Sequence, residues 1–108
     1  MSSSQRRKGT AHETAIVNYL LTQGIDARRV VQTGRYDQGD IHVESDWILE
    51  AKNCKEISPA EFVKQALREA QNAGRQFGVA VVKKRGANIK DSYVMTDLET
   101  FARILKQQ

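Results

Sequence analysis

The chain has a single cysteine, Cys54, among its 108 residues. An intramolecular disulfide is therefore excluded, and no cysteine-based zinc site is spelled out. A reducing, cytosol-like compartment is expected. The two histidines, His12 and His42, match no zinc-ligand spacing. Long apolar runs are absent as well: none approaches the roughly 18 residues that a membrane-spanning helix requires. The opening stretch MSSSQRRKG is polar and lacks the apolar core of a signal peptide. Internal repeats and low-complexity tracts are also missing. With 108 residues, 40% of them hydrophobic, the chain is expected to build one domain around one small core. A dimer partner would help so small a core bury apolar surface.

What is present is charge, and its distribution says more than the net of +4. Residues 1–35 hold six Lys/Arg against two acids, residues 36–62 hold seven acids against two lysines, and residues 63–108 hold nine Lys/Arg against four acids. A merely solvated surface intersperses the two signs. Basic flanks suit a polyanion such as nucleic acid. An acidic middle repels phosphate unless it binds cations. Together they suggest metal ions held beside a phosphate backbone.

Residues 1–9 read as a polar, flexible basic arm ahead of a domain at 10–108. Thr10 to about Leu21 has helical spacing in Ile16, Val17, Leu20 and Leu21, with Thr10 and Glu13 matching a capping box. Ala27–Gln32 reads as a short strand, and the stretch from Thr33 to Gly39 as a loop. Ile41–Glu44 and Trp47–Lys52 alternate about the turn Ser45-Asp46, which predicts a hairpin. The chain's one proline, Pro59, follows Ser58 and precedes Glu61, a helix start whose apolar stripe is Phe62, Ala66, Leu67, Ala70 and Ala73. Gly78–Lys83 reads as a buried strand, Tyr93–Thr96 as a last strand, and a final helix carries Leu98, Phe101, Ala102 and Leu105 as its stripe. The order α-β-β-β-α-β-β-α predicts a mixed sheet covered by helices.

One segment carries chemistry. Glu50 and Lys52 stand two apart on a predicted strand, so they share a face, while Leu49 and Ala51 point to the core. The hairpin folds Asp40 back beside them. Two carboxylates and an ammonium then share a small site, the set that phosphodiester hydrolysis needs. The carboxylates hold a hard cation such as Mg²⁺, the cation activates water and polarises the phosphoryl group, and the lysine offsets developing charge. Glu13 heads the apolar stripe of the first helix, so it should face the interior or a cleft. It is also the back-reaching acid of the capping box, and the two roles compete.

Asp-x₉-Glu-x-Lys in a hairpin resembles the PD-(D/E)xK nuclease superfamily, and within it the archaeal-type Holliday junction resolvases. Arg6-Arg7-Lys8-Gly9-Thr10-Ala11-His12-Glu13 is similar to the basic stretch, Lys-Gly-Ser/Thr and following Glu with which those proteins begin. Arg28-Arg29-Val30-Val31, Thr33-Gly34 and Gly78–Lys83 fall in the matching order, so the resemblance covers nearly the whole chain. One departure is that Gly39 stands where the family has a proline before the acid. The resemblance implies a restriction-endonuclease-like α/β fold, an α-β-β-β-α-β core with a mixed central sheet and a C-terminal helix. It implies a Mg²⁺-dependent endodeoxyribonuclease, with Mn²⁺ as a substitute ion, that resolves four-way DNA junctions as a homodimer. Asp40, Glu50, Lys52 and Glu13 are then the catalytic residues, and Asp40, Glu50 and Glu13 the metal ligands. Arg6, Arg7, Lys8, Thr33, Arg35, Lys55, Lys83, Lys84 and Arg85 are candidates for DNA contact. The expected location is the cytoplasm, at the nucleoid or in a host cell.

Plainer readings stand beside these. Glu50 and Lys52 also fit an exposed, salt-bridged strand face. Asp37 rivals Asp40 but reads as a solvated loop residue. His12 and His42 read as surface or supporting residues, Cys54 as partly buried, and Trp47 as packed at the hairpin. Gln65 lies on the helix after the Lys52 strand, where a polar side chain turns either to the site or to solvent. The function readings that remain open are another nuclease of this fold, nicking or restriction-like, and a DNA-binding module without catalysis.

Overall fold

A five-stranded sheet forms the centre of the molecule, in the order β1-β2-β3-β4-β5. The computed structural model describes residues 3–32 and 34–108. Its elements are α1 (Ser3–Thr22), β1 (Ala27–Arg29), β2 (Ile41–Val43), β3 (Trp47–Lys52), α2 (Pro59–Ala73), β4 (Phe77–Val82), β5 (Tyr93–Met95) and α3 (Leu98–Lys106), with a 3-10 turn at Ile89–Asp91. β1, β2 and β3 are antiparallel neighbours, β3 and β4 run parallel, and β5 returns antiparallel. Parallel neighbours need a crossover, and α2 supplies it. All six residues of β4 are buried, as expected for a strand covered on both faces.

Alternation along the strands sorts the core into two layers. Ile41, Val43, Leu49, Val79 and Val81 pack with Ile16 of α1, and Ala51 packs against that cluster. On the other face Ile48 packs with Ala66 and Ala70 of α2, and Ala80 and Val82 pack with Phe62. Glu50 and Lys52 lie on this second face, because they alternate with Leu49 and Ala51.

α2 sits directly on β4. A side chain at Gly78 would run into the backbone carbonyl of Ala66, with the carbonyl carbon 2.8 Å from its Cβ. Gly74 ends the helix in the left-handed conformation, at φ 67°, a position that suits glycine.

Several expectations change. α1 begins at Ser3 and not at Thr10, so residues 3–9 are helix and not an arm ahead of it. Gln5, Arg6, Arg7 and Lys8 are strong helix formers, and they outweigh the cost of Gly9, about 1 kcal/mol. Thr10 therefore caps nothing, and Glu13 is freed from the capping box. β1 stops at Arg29. Asp97 caps α3 by accepting from Thr100 N at 2.9 Å. The stripe of α3 faces outward: Leu98 is 80% exposed, Phe101 48% and Leu105 55%, while Thr100 is the residue it buries. Cys54 is exposed rather than partly buried. His12 is buried, so of the two readings for it, surface or supporting, the surface one falls. Among the described residues no helix is long and apolar enough to cross a membrane.

The close seating of α2 gives a first test. Gly78→Ala is expected to destabilise the fold by about 1–3 kcal/mol, the usual cost of overpacking. Urea denaturation measures it, and a change within experimental error would contradict the packing.

Candidate active site

The site begins at the entry to β2. β2 begins with Ile41 paired to Leu49, and just before it Asp40 N donates to Leu49 O at 3.1 Å. Gly39 turns the chain into the strand at φ 94°. Proline is fixed near −65° and has no place there. Gly39 also lies against Ile48, whose Cβ would be 3.1 Å from an added Cβ. Its N–H is held by Asp37 Oδ1 at 2.9 Å and its carbonyl by Gln32 Nε2 at 2.6 Å. Asp40 O accepts from Val30 N at 2.9 Å, and Asp40 Oδ2 accepts from Ala51 N at 2.9 Å. The acid is thus anchored through both backbone and carboxylate, although the family's proline is missing.

At the end of β3, Gln65 of α2 joins three side chains. Its Oε1 accepts from Lys52 Nζ at 2.7 Å, and its Nε2 donates to Glu50 Oε2 at 2.7 Å and Glu69 Oε2 at 2.9 Å. Lys52 Nζ also lies 3.4 Å from Glu50 Oε2. Glu50 is only 5% exposed and Glu69 2%. Among the described residues, Oε1 of each has no hydrogen-bond partner.

Burial first, then a hydrogen bond with Glu69 and the charge of Asp40, raises the pKa of Glu50 well above the usual carboxylate range. Burial also raises Glu69, against the hydrogen bonds from Glu50 and Gln65. Two buried carboxyls with one nearby ammonium repel one another, which favours a protonated form of the pair.

Glu13 reaches the same neighbourhood from α1. It is half-buried and accepts from Arg29 Nε at 3.2 Å. Burial and then the charge of Asp40 raise its pKa, while Arg29 lowers it. Asp40 thus acts on both Glu50 and Glu13. The three acids share a neighbourhood without closing on one point: among the described residues, no three His, Cys, Asp or Glu converge tightly enough to hold a metal ion. Arg29 holds Glu13, and Gln65 holds Glu50.

The candidate DNA contacts divide. Arg35 and Lys55 are exposed in loops, and Lys83, Lys84 and Arg85 are exposed beyond the end of β4. The side chains of Arg6, Arg7 and Lys8, and the whole of Thr33, lie outside the described residues. Glu69 was missed, although it repeats the pattern of Glu13, an acid at helical spacing within an apolar stripe. Asp37, read as solvated, lines a cleft of about 350 Å³ with Lys52, Gln65 and Glu69, and its carbonyl accepts from Asn72 Nδ2 at 2.8 Å. His12 Nε2 donates to Val81 O at 3.1 Å. Burial pushes its pKa down, against the hydrogen bond to Val81. His42 is half-buried against Gln38 O at 2.9 Å, and Trp47 packs on Phe77 with ring centroids 4.7 Å apart.

The mixed sheet, the crossover helix and the acid–lysine group at its end define a restriction-endonuclease-like fold. The chain is similar to the solved structure of Hjc, a Holliday junction resolvase from the archaeal hyperthermophile Archaeoglobus fulgidus, with 20% identity and a TM-score of 0.55, over 88% of this chain and 93% of that one. At that identity the likeness is one of fold. No protein-family model matches the sequence, and no curated protein does.

The buried carboxyls set a pH dependence. A folded-state pKa raised above the ordinary 4.5 means that the native state keeps protons that the unfolded chain has released. Their contribution is full below about pH 4.5 and is lost as pH rises towards the folded-state values. Glu50→Gln should therefore gain stability relative to the parent at pH 8 in EDTA, by about 1–2 kcal/mol, because the parent must take up a proton on folding at that pH and the amide need not. The gain should shrink at pH 5. Urea midpoints at the two pH values measure it, and an equal difference at both would refute the assignment.

Proposed function

We propose that the chain is a metal-dependent DNA endonuclease that cuts four-way junctions by phosphodiester hydrolysis. The observation that carries this reading is the grouping of Asp40, Glu50 and Lys52 where β2 begins and β3 ends, on a fold similar to that of a Holliday junction resolvase.

The donor set fits a hard divalent cation. Asp40 and Glu50 bring carboxylate oxygens within each other's electrostatic reach, and Glu50 Oε1 is buried without a partner among the described residues. Mg²⁺ binds through one or two carboxylates and fills its other positions with waters and phosphate oxygens. Asp40 and Glu50 would hold it, with Mn²⁺ as a substitute, and Glu13 would join on leaving Arg29. When bound, the ion supplies a Lewis acid for the phosphoryl group and lowers the pKa of an attacking water. Lys52 offsets the charge that develops on the phosphoryl oxygens, and Gln65 fixes its ammonium at 2.7 Å. Arg6, Arg7, Lys8, Thr33, Arg35, Lys55, Lys83, Lys84 and Arg85 take the phosphates on either side. Such contacts position the DNA without reading its sequence.

A junction has near two-fold symmetry, so two sites related by a dimer axis suit it. The outward stripe of α3 and the exposed Tyr93 and Val94 of the edge strand β5 are apolar residues that a second copy would cover. Phe101→Glu is expected to shift the protein towards monomer in sedimentation velocity. An unchanged distribution would move the dimer axis elsewhere.

The decisive assay compares a synthetic four-way junction with a linear duplex of the same sequence in Mg²⁺. The parent should cut the junction preferentially. Lys52→Ala should slow cutting by about 10²–10³, the usual loss for a transition-state contact, while junction binding in EDTA stays within about twofold. Intact junctions under every divalent metal would leave a DNA-binding module, and equal cutting of both substrates would favour a nicking or restriction-like enzyme.

A further inference from the structure

A second cleft, of about 450 Å³, opens on the α1 face of the same end of the sheet. Its position follows from the parallel pair β3–β4. Lys52 is in register with Val82, and Lys83 N donates to Lys52 O at 2.9 Å. Asn53 and Lys83 are thus the next residues of neighbouring strands. Alternation turns them to the face opposite Lys52, where they line this cleft with Arg85, Ala11, Ala15 and Ile89. His12 forms part of the wall, and it feels the charges of both Lys83 and Asp40. The cleft and the Glu50–Lys52 pair therefore lie on opposite faces of one sheet end.

The lining is uneven in chemistry. Two cations stand at Lys83 and Arg85, and among the described residues no carboxylate lines the cleft. Ala11, Ala15 and Ile89 give an apolar floor, and Asn53 offers one amide donor–acceptor pair. A volume of about 450 Å³ is in the range of small-molecule sites, ~300–1,000 Å³, and exceeds what a lone phosphate needs. A phosphate patch alone needs no apolar lining.

We infer that this cleft receives one unstacked nucleotide of the strand that crosses the sheet end, with its phosphate at Lys83 and Arg85 and its base against Ala11, Ala15 and Ile89. Taking a base out of the stack costs a few kcal/mol in a duplex and least where pairing is already broken. The cleft thus favours DNA with an unpaired or strained nucleotide beside the cut over regular duplex. This rests on the DNA-cleaving reading above and adds a source of substrate selectivity to it.

The test uses the full chain in EDTA and so does not depend on catalysis. Thymidine monophosphate and inorganic phosphate are titrated separately while backbone amide NMR shifts are followed. The nucleotide should move residues 11–15, Asn53 and 86–89 and saturate in about the millimolar range expected of a single small contact, about tenfold tighter than phosphate. Ala15→Leu should fill the floor and abolish the nucleotide shifts while leaving a dispersed spectrum. Lys83→Ala with Arg85→Ala should weaken junction binding by about tenfold or more and lower its salt dependence, whereas Lys106→Ala should not. Shifts absent at ten times that concentration, equal affinity for nucleotide and phosphate, or an unperturbed Ala15→Leu titration would each overturn the inference. Retained nucleotide shifts in a chain that cuts no DNA would overturn the nuclease reading and leave this site standing.

Discussion

The contact on which the rest of the site depends is the seating of α2 against β4 at Gly78. Ala66 can approach the sheet backbone because no side chain intervenes there. That approach sets the height of the whole helix. One residue before Ala66 comes Gln65, and three residues after it comes Glu69, and these are brought over Glu50 and Lys52. The apolar packing of Ile48, Ala66 and Ala70 thus positions a polar group that no local strand geometry would assemble. Two buried carboxyls are tolerable there only because an amide and an ammonium are held at the same depth.

Much of this was legible in the sequence. The hairpin, with Glu50 and Lys52 on one face, followed from alternation, and the crossover helix from Ser58-Pro59 and its stripe. The fold class was readable because these signals agree with each other. The start of α1 was not, because a capping box is a local pattern, and the helix formers ahead of it prevailed. The outward face of α3 was hidden for a different reason. Periodicity reports that a stripe exists but not what covers it.

Glu69 and Asp37 show the same limit at the site. Glu69 follows Phe62 and Ala66 at helical spacing, yet an acid in an apolar stripe carries no meaning until a second carboxyl is found opposite. Asp37 is an exposed loop residue, as the sequence reads it. Its role depends on the left-handed turn at Gly39, whose N–H it holds. At Gly39 the proline of the family that the sequence resembles is absent. Five hydrogen bonds around Gly39 and Asp40 do the work of the absent ring.

Gly39 contributes no functional group, yet its backbone handedness and its contact with Ile48 decide where Asp40 stands. In a library of random substitutions, such a position behaves like a reactive one. Replacements that leave every acid and lysine intact would still silence the protein, because an L-residue at φ 94° swings the carboxylate away from β3. Mutational tolerance across this site is therefore mapped by backbone geometry as much as by chemistry, and the least replaceable residue in it includes one that has nothing to replace.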